Sequence, residues 1–396
     1  MSDLVPNDTV QGYCDPAFSA VREVFERNFA EGRELGAAVA VYAGDRKVVD
    51  LWGGTADRRT GREWTADTPC FGFSCTKAVT ATAALLLAER GVVDLDAPVT
   101  GWWPEFGQRG KEGATGAHLL SHQVGLPAFR RPVTAEEAAD TEARAAELAA
   151  QEPEWEPGTA HGYHALTYGW LAGEIVRRNA GMPVGEFVKR EFAADLDLWI
   201  GAPDEVIERA AKLTAGRDHR DETGPDTPRA VGDDTVLGRL AKAHLDPDSP
   251  MNRSAGNPHP GKGGFNNPVV LRAGWPSAGM IATAAAFGAF YRDLVAGRVI
   301  SSGTLREATR PRASGPDRTL EADTAFGLGF MLPAMTFFTP EAGRGSAFGH
   351  TGAGGSLGLG DADAGLALAY LPNRMGDQLS GDLRAYRLVE AAYASL

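Results

Sequence analysis

The sequence predicts an α+β protein: an antiparallel sheet flanked by N- and C-terminal helices, with an all-helical domain inserted between the two ends of the chain. Three observations predict it. An amphipathic helix and a β-hairpin pattern open the chain, short β-rich runs and a helix close it, and helical patterns predominate from about residue 74 to residue 200. The expected boundaries are 1–73 and 265–396 for the sheet-bearing unit and 74–264 for the mainly helical one, including an irregular, lid-like stretch at 202–264.

Asp15 followed by Pro16 starts the first helix, because a carboxylate caps free N–H groups and proline fits the first turn. Phe18, Val21, Phe25 and Phe29 recur at three- and four-residue spacing, and Gly32 ends the pattern. Residues 36–44 and 47–53 are β-rich and separated by Gly44-Asp45-Arg46, the signature of an antiparallel hairpin. From Ser74 to Arg90 a helical run is nearly apolar all round, which predicts burial, and Gly91 supplies its stop. Residues 135–150 and 168–178 follow as helices. Pro, Gly, Asp and Asn are scattered through 202–264, where only 235–244 has a helical pattern. A helix is expected over 281–294, strands over 326–332, 346–350 and 365–371, and a closing helix over 384–395. No period of 20–50 residues repeats, which excludes solenoids and propellers.

Composition narrows the function. With 396 residues, 43% apolar and 23% charged, the chain is long enough for a large core and too apolar for disorder. Its 49 glycines and 24 prolines point to many loops around that core. A net charge of −13 and the lack of any basic run exclude nucleic acid and anionic lipid as partners. Cys14, Cys70 and Cys75 are odd in number and irregular in spacing, so neither a disulfide framework nor a zinc pattern is expected. The N-terminus has no basic segment followed by an apolar one, and no apolar run reaches the roughly 18 residues of a membrane span. A cytoplasmic protein with reduced thiols is the expectation.

Ser74-Cys75-Thr76-Lys77 places a hydroxyl and an amine three residues apart, on neighbouring positions of one helical face. A serine hydroxyl becomes a nucleophile only when a base takes its proton, and lysine serves when burial pulls its pKa down from about 10.4. The apolar neighbours Phe71, Phe73, Ala78 and Val79 provide that burial. The helix N-terminus adds N–H groups and a positive dipole end, both favouring a neutral lysine and an anionic oxygen. His118 and His122 have the spacing of two metal ligands on a helix, but no glutamate lies between them in the metalloprotease pattern and no third ligand follows. They are read as structural, and no metal or cofactor is expected. Ser277, in Gly274-Trp275-Pro276-Ser277-Ala278-Gly279, lacks the Gly-x-Ser-x-Gly spacing of a nucleophile elbow and reads as a loop residue near the pocket. Cys75 reads as a small core residue.

Four landmarks occur in order across residues 70 to 372. They are Phe71-Gly-Phe-Ser74-Cys-Thr-Lys77; His118-Leu-Leu-Ser-His122-Gln-Val-Gly125-Leu-Pro127; Glu156-Pro-Gly158 leading to Tyr163-His164-Ala165; and Gly349-His350-Thr351-Gly352-Ala353-Gly354-Gly355. Together they resemble the serine β-lactamase-like superfamily of class C β-lactamases and family VIII carboxylesterases. The resemblance implies a β-lactamase/transpeptidase-like fold, Ser74 as nucleophile, Lys77 as base or proton shuttle and Tyr163 as a second proton carrier. It also implies an oxyanion hole from the Ser74 and Ala353 N–H groups, with substrate contacts at His350, Thr351 and Gly352; His164 and Trp275 are expected beside the same cleft. Two departures stand out. Ala165 replaces the amide of the family's Tyr-x-Asn, and His350 replaces the lysine of its Lys-Thr-Gly. A permanent cation for a substrate carboxylate is thereby lost, which favours the esterase branch.

The expected activity is a serine-dependent, carboxylesterase-like acyl hydrolase acting on a small-molecule ester or amide through an acyl-Ser74 intermediate. The alternative is an acyltransferase that passes the acyl group to an amine or alcohol in secondary metabolism. A β-lactamase or D-Ala-D-Ala peptidase and a non-catalytic acyl-ligand sensor rank below these. No feature fixes the oligomeric state.

Overall fold

The computed structural model describes residues 9–215, 242, 243, 245–376 and 381–396. The two ends of the chain build one antiparallel sheet, in the order Val10–Cys14, Arg46–Asp57, Gly36–Ala43, Leu366–Pro372, Leu357–Asp361, Ala347–Thr351, with Arg62–Glu63 added on Arg46–Asp57. Strand alternation sends side chains to opposite faces and so divides two cores. Val39, Val41, Leu51, Leu359 and Leu368 share one core with Phe25, Phe29, Leu388 and Val389 of the helices Ser19–Ala30 and Leu383–Ala394. Ala38, Ala40, Tyr42, Ala367 and Ala369 face the other core, with Phe287, Phe290 and Tyr291 of the helix Ala284–Val295. The small residues on this second face let that helix lie close: a Cβ on Gly288 would stand 2.9 Å from the Tyr42 ring. The fold is α+β, with helices on both faces of an antiparallel sheet and a largely helical region between its halves.

That helical region centres on Thr76–Glu89, whose residues from Thr76 to Leu87 are all buried. It packs against Tyr168–Ala180 and Val184–Glu191. Its threonines carry no unmet polar cost, since Thr76 donates to Phe73 O (2.6 Å), Thr80 to Pro276 O (2.6 Å) and Thr82 to Ala78 O (2.8 Å).

Several expected elements differ. The helix expected at 135–150 breaks into Ala135–Ala139 and Thr141–Ala150, because the Asp140 carboxylate accepts from Ala143 N–H and starts a new helix. The helix expected over 281–294 begins at Ala284, capped by Thr283. Met280–Ala282 is instead a strand between Cys70–Phe71 and Leu198–Ile200. Residues 326–332 are not one strand: Asp323–Phe326 ends there, Gly329 turns the chain at φ +84°, and Met331 bridges Gly349. Besides the short Arg62–Glu63, two strands of the main sheet, Val10–Cys14 and Leu357–Asp361, had no sequence signal. The second alternates leucine with Gly358 and Gly360, where the rings of Phe287, Tyr291 and Phe348 fill the space a side chain would need. The helix expected at 235–244 lies outside the described residues, apart from Lys242 and Ala243. Within 202–264, the described helices Asp204–Arg209 and Pro250–Gly256 pack onto the body of the protein. No helix among the described residues is long and apolar enough to cross a membrane.

Candidate active site

The turn before the buried helix is tightly laced. Cys75 N–H donates to Gly72 O, Thr76 N–H to Phe73 O and Lys77 N–H to Ser74 O. Gly72 N–H donates to Met280 O, and Met280 N–H returns to Thr76 Oγ1 (2.9 Å). Phe73, just before Ser74, sits at φ +47°, a conformation bulky residues rarely take. Its ring is held at 4.8 Å from Phe71 and 5.1 Å from Phe265, so the surrounding packing sustains the strain at the serine.

Lys77 is wholly buried, with Nζ at 3.2 Å from Ser74 Oγ, 2.7 Å from Ala165 O and 2.9 Å from Ser277 O. Burial pushes its pKa well below the usual 10.5, against a smaller opposing pull from the Cys75 thiol. A neutral amine has two N–H donors and one lone pair. The two carbonyls take the donors, which leaves the lone pair for the Ser74 hydroxyl. The carbonyl loop is itself fixed, since Ser277 Oγ donates to Leu166 O (2.8 Å).

Tyr163 lies alongside, its ring centroid 4.9 Å from Lys77 Nζ. Burial pushes the phenol pKa upward, and hydrogen bonding with the Ser74 side chain offsets only part of that, so the phenol keeps its proton. The tyrosine backbone is anchored by two residues that sequence reasoning missed. The buried Asp317 carboxylate accepts from the N–H of Tyr163 (3.0 Å), Thr319 (2.8 Å) and Leu320 (2.8 Å) and from Thr324 Oγ1 (3.1 Å). Ser254 Oγ donates to Tyr163 O (3.1 Å) and accepts from Ala165 N–H (2.9 Å). In sequence, Asp317 follows Pro316 and signals only a turn, and Ser254 has no distinguishing neighbour.

The histidines sort differently from their spacing. His164 is buried, donates from Nδ1 to Gly162 O (2.6 Å) and accepts at Nε2 from Leu126 N–H (2.9 Å). Burial drives its pKa down to about 3. Both of its ring nitrogens are thus engaged within the protein. His118 closes the N-terminus of the helix Gly116–Leu120 with Thr115, whereas His122 lies beyond that helix at φ +63° and accepts from His164 N–H (3.1 Å). The two therefore do not share a helical face. Among the described residues no group of three or more His, Cys, Asp or Glu could hold a metal ion.

The strand Ala347–Thr351 brings His350 and the following turn to the same place. His350 is buried and donates from Nδ1 to Thr351 O (2.6 Å), while Nε2 has no partner among the described residues. Burial and the nearby Lys77 hold its pKa at about 3, so it is a neutral imidazole at physiological pH. Thr351 Oγ1 donates to Thr336 O (3.3 Å). Gly352 lies against the nucleophile turn: a Cβ there would stand 2.6 Å from Gly72 O and 3.1 Å from Phe73 Cβ. Ser356 Oγ and Cys75 Sγ close the seam by donating to Gly72 O (3.0 Å) and His350 O (3.3 Å). The Ser74 and Ala353 N–H groups donate to no acceptor among the described residues. Trp275 packs on Phe265, the ring that also packs on Phe73 beside Ser74. Its ring is buried at 5.9 Å from Trp170 and 6.1 Å from Phe265, and its carbonyl accepts from Ala278 and Gly279 N–H. These contacts pack Trp275 beneath the Ser277 loop.

A buried neutral amine beside a serine hydroxyl and a protonated phenol, with two N–H donors that no described residue accepts from, is an arrangement suited to acyl transfer. Comparison with known proteins gives a consistent picture. The profile of the family described as Beta-lactamase matches residues 21–393. The chain is 32% identical to the esterase/beta-lactamase LipL of Mycobacterium tuberculosis, over 97% of this chain and 89% of that protein. A family VIII carboxylesterase of known structure superposes with a TM-score of 0.84 at 32% identity, over 98% of this chain and 100% of that one. A penicillin-binding protein homolog from Caulobacter crescentus gives 0.83 at 37% identity, with the same coverages.

Proposed function

This chain belongs to the beta-lactamase family, and from that premise we propose that it is a carboxylesterase-like serine hydrolase acting on a small-molecule ester or amide through Ser74. The observation that carries the reading is the buried Lys77 amine, whose two N–H donors are spent on Ala165 O and Ser277 O.

In the proposed reaction Ser74 Oγ attacks the carbonyl carbon and its proton passes to Lys77 Nζ. The Ser74 and Ala353 N–H groups stabilise the resulting oxyanion. As the carbon–oxygen bond to the leaving group breaks, Tyr163 gives its phenolic proton to the departing alkoxide and is reprotonated from Lys77, so the alcohol leaves neutral. Water repeats the sequence in reverse roles to release the acid. His350, Thr351 and Gly352 line the substrate side of the turn.

The preference for esters over carboxylate-bearing lactams is supported by two features. Ala165 offers no side-chain amide, and His350 is a neutral ring where a cation would be needed. The proposal extends to a division of the chain into 1–73 with 265–396 and 74–264, supported by the pairing of Gly36–Ala43 with Leu366–Pro372. It also extends to a cytoplasmic setting, supported by three cysteines that remain thiols.

Rates on p-nitrophenyl esters and on a penicillin-type lactam test the reading, with the ester product partitioned against an added amine or alcohol. The expected result is a higher kcat/KM for neutral esters, with water as the main acceptor. A lactam preferred over every ester would overturn it, and product going mainly to the added nucleophile would make the enzyme an acyltransferase.

A further inference from the structure

We infer that Arg384, clamped by Asp382 and Glu34, is a positioning residue that sets the geometry of the turn carrying the Ala353 N–H. The inference rests on the proposed role of that N–H in holding an oxyanion.

Arg384 stands in the first turn of the C-terminal helix Leu383–Ala394 and is 5% exposed. Its guanidinium is fully engaged. Nε donates to Asp382 Oδ1 and Oδ2 (both 3.1 Å), and Nη2 donates to Asp382 Oδ2 (2.7 Å) and Gly354 O (2.7 Å). Nη1 reaches Glu34 Oε2 (3.0 Å), Arg33 O (3.1 Å) and Arg374 O (3.1 Å). Glu34 is buried as well, and its other oxygen accepts from the Tyr370 hydroxyl. Removing several charged groups from water costs about as much as their pairing returns, so a buried cluster of this kind is a poor device for stability alone. What it provides is a fixed arrangement, and one of its strong donors is spent on the catalytic turn.

That turn needs an external anchor. Gly354 and Gly355 sit at φ +78° and φ +117°, conformations open to glycine, and two adjacent glycines have little stiffness of their own. From the strand side, Gly352 N–H donates to Ser356 O (2.7 Å) and Gly355 N–H to Gly352 O (3.2 Å). From the opposite side, Gly354 O is held by Arg384 Nη2 and by Gly376 N–H (3.0 Å). A Cβ on Gly355 would stand 2.5 Å from Asp382 Oδ2 and 2.6 Å from Arg384 Nη2, so the ion pair is packed directly on the turn backbone. Ala353 is the residue immediately before Gly354. Releasing the Gly354 carbonyl frees the adjoining peptides to rotate, and the Ala353 N–H moves with them.

A matched ester and thionoester report on this geometry. A rigid pair of N–H donors set for an oxyanion discriminates against the longer carbon–sulfur bond and the weaker sulfur acceptor, whereas a loosened pair discriminates less. In the full-length protein, Arg384→Lys should lower kcat/KM for the ester by about 10- to 100-fold, mainly in kcat. The thionoester rate should fall much less, compressing the ester-to-thionoester ratio. Equal losses on both substrates, or none, would overturn the inference and leave Arg384 a fastener of the helix. If Arg384→Lys does not fold, Glu34→Gln serves as the second variant. Assayed at pH 8, where the Glu34 carboxyl has lost its proton, it keeps the shape of the clamp but weakens its hold, and an unchanged ratio there has the same force. The two levels of failure are distinguishable: wild-type protein that never acylates Ser74 sinks the reading beneath the inference, while an acylating wild type with an unmoved ratio in the variant sinks the inference alone.

Discussion

Lys77 Nζ stands 3.2 Å from Ser74 Oγ in a pocket where burial disfavours its charged form. The base must be unprotonated to work, so kcat/KM should rise with pH through an inflection well below the usual lysine value of 10.5 and then level off. Lys77→Arg, which cannot give up its proton, should lose about 100- to 10,000-fold, measured as acylation rate against pH. The sign for stability follows from the same shift. Between the depressed folded pKa and 10.5 the unfolded chain binds more protons than the folded one, so stability should increase with pH there. Denaturant titrations of Lys77→Met should lack that slope.

Tyr163 separates chemistry from scaffolding. Tyr163→Phe keeps the ring that stacks on Phe326 at 6.0 Å and the backbone N–H held by Asp317, and removes only the hydroxyl. Rapid-quench assays should show acylation slowed by about 100- to 10,000-fold with the fold intact. A rate within a fewfold of wild type would remove the phenol from the proton path.

Asp317→Ala should act the other way round. It leaves the N–H groups of Tyr163, Thr319 and Leu320 buried without their acceptor. Each such loss costs about 1–3 kcal/mol, so urea unfolding should show a large destabilisation together with reduced activity.

Glu34 provides a second pH signature. Burial raises its carboxyl to about 7, against opposing pulls from Arg384 and the Tyr370 hydroxyl. Between 4.5 and about 7 the folded state therefore binds more protons than the unfolded chain, and the contribution of Glu34 to stability should decline as pH rises through that window. Glu34→Gln, which does not titrate, should compare more favourably with wild type at pH 8 than at pH 5, by an amount on the order of 1–3 kcal/mol in urea titrations.

Gly352→Ala tests the seam between the turn and the nucleophile. Its Cβ would stand 2.6 Å from the Gly72 carbonyl oxygen, so backbone has to move. A destabilisation of about 1–3 kcal/mol is expected, with a disproportionate loss of acylation rate because the movement occurs at the Ser74 turn.

Much of this was legible in the sequence where local pattern and tertiary role coincide. The hairpin Gly36–Ala43 with Arg46–Asp57 announces itself by β-rich runs around a turn, and the buried helix by its apolar circumference. The three-residue spacing of Ser74 and Lys77 translates directly into a 3.2 Å approach. Strand Leu357–Asp361 was silent because glycines stand where a strand signal would be, for a packing reason set by the Phe287 and Tyr291 rings. The adjacency of His164 to Tyr163 says nothing about facing, and its ring hydrogen-bonds with Gly162 O and Leu126 N–H, partners that only the fold brings together. Asp317 and Ser254 act on Tyr163 from 154 and 91 residues away, through contacts that exist only once the chain has folded. Arg384 similarly reaches Gly354 across 30 residues.

The central claim is that Ser74 becomes covalently acylated, and intact-mass spectrometry of acid-quenched protein after mixing with a p-nitrophenyl ester tests it most directly. The account predicts a single added acyl mass, mapped by peptide fragmentation to Ser74 and absent from folded Ser74→Ala, which should also lose turnover. Undiminished ester turnover by Ser74→Ala, or an acyl group mapped to any other residue during wild-type turnover, would contradict it.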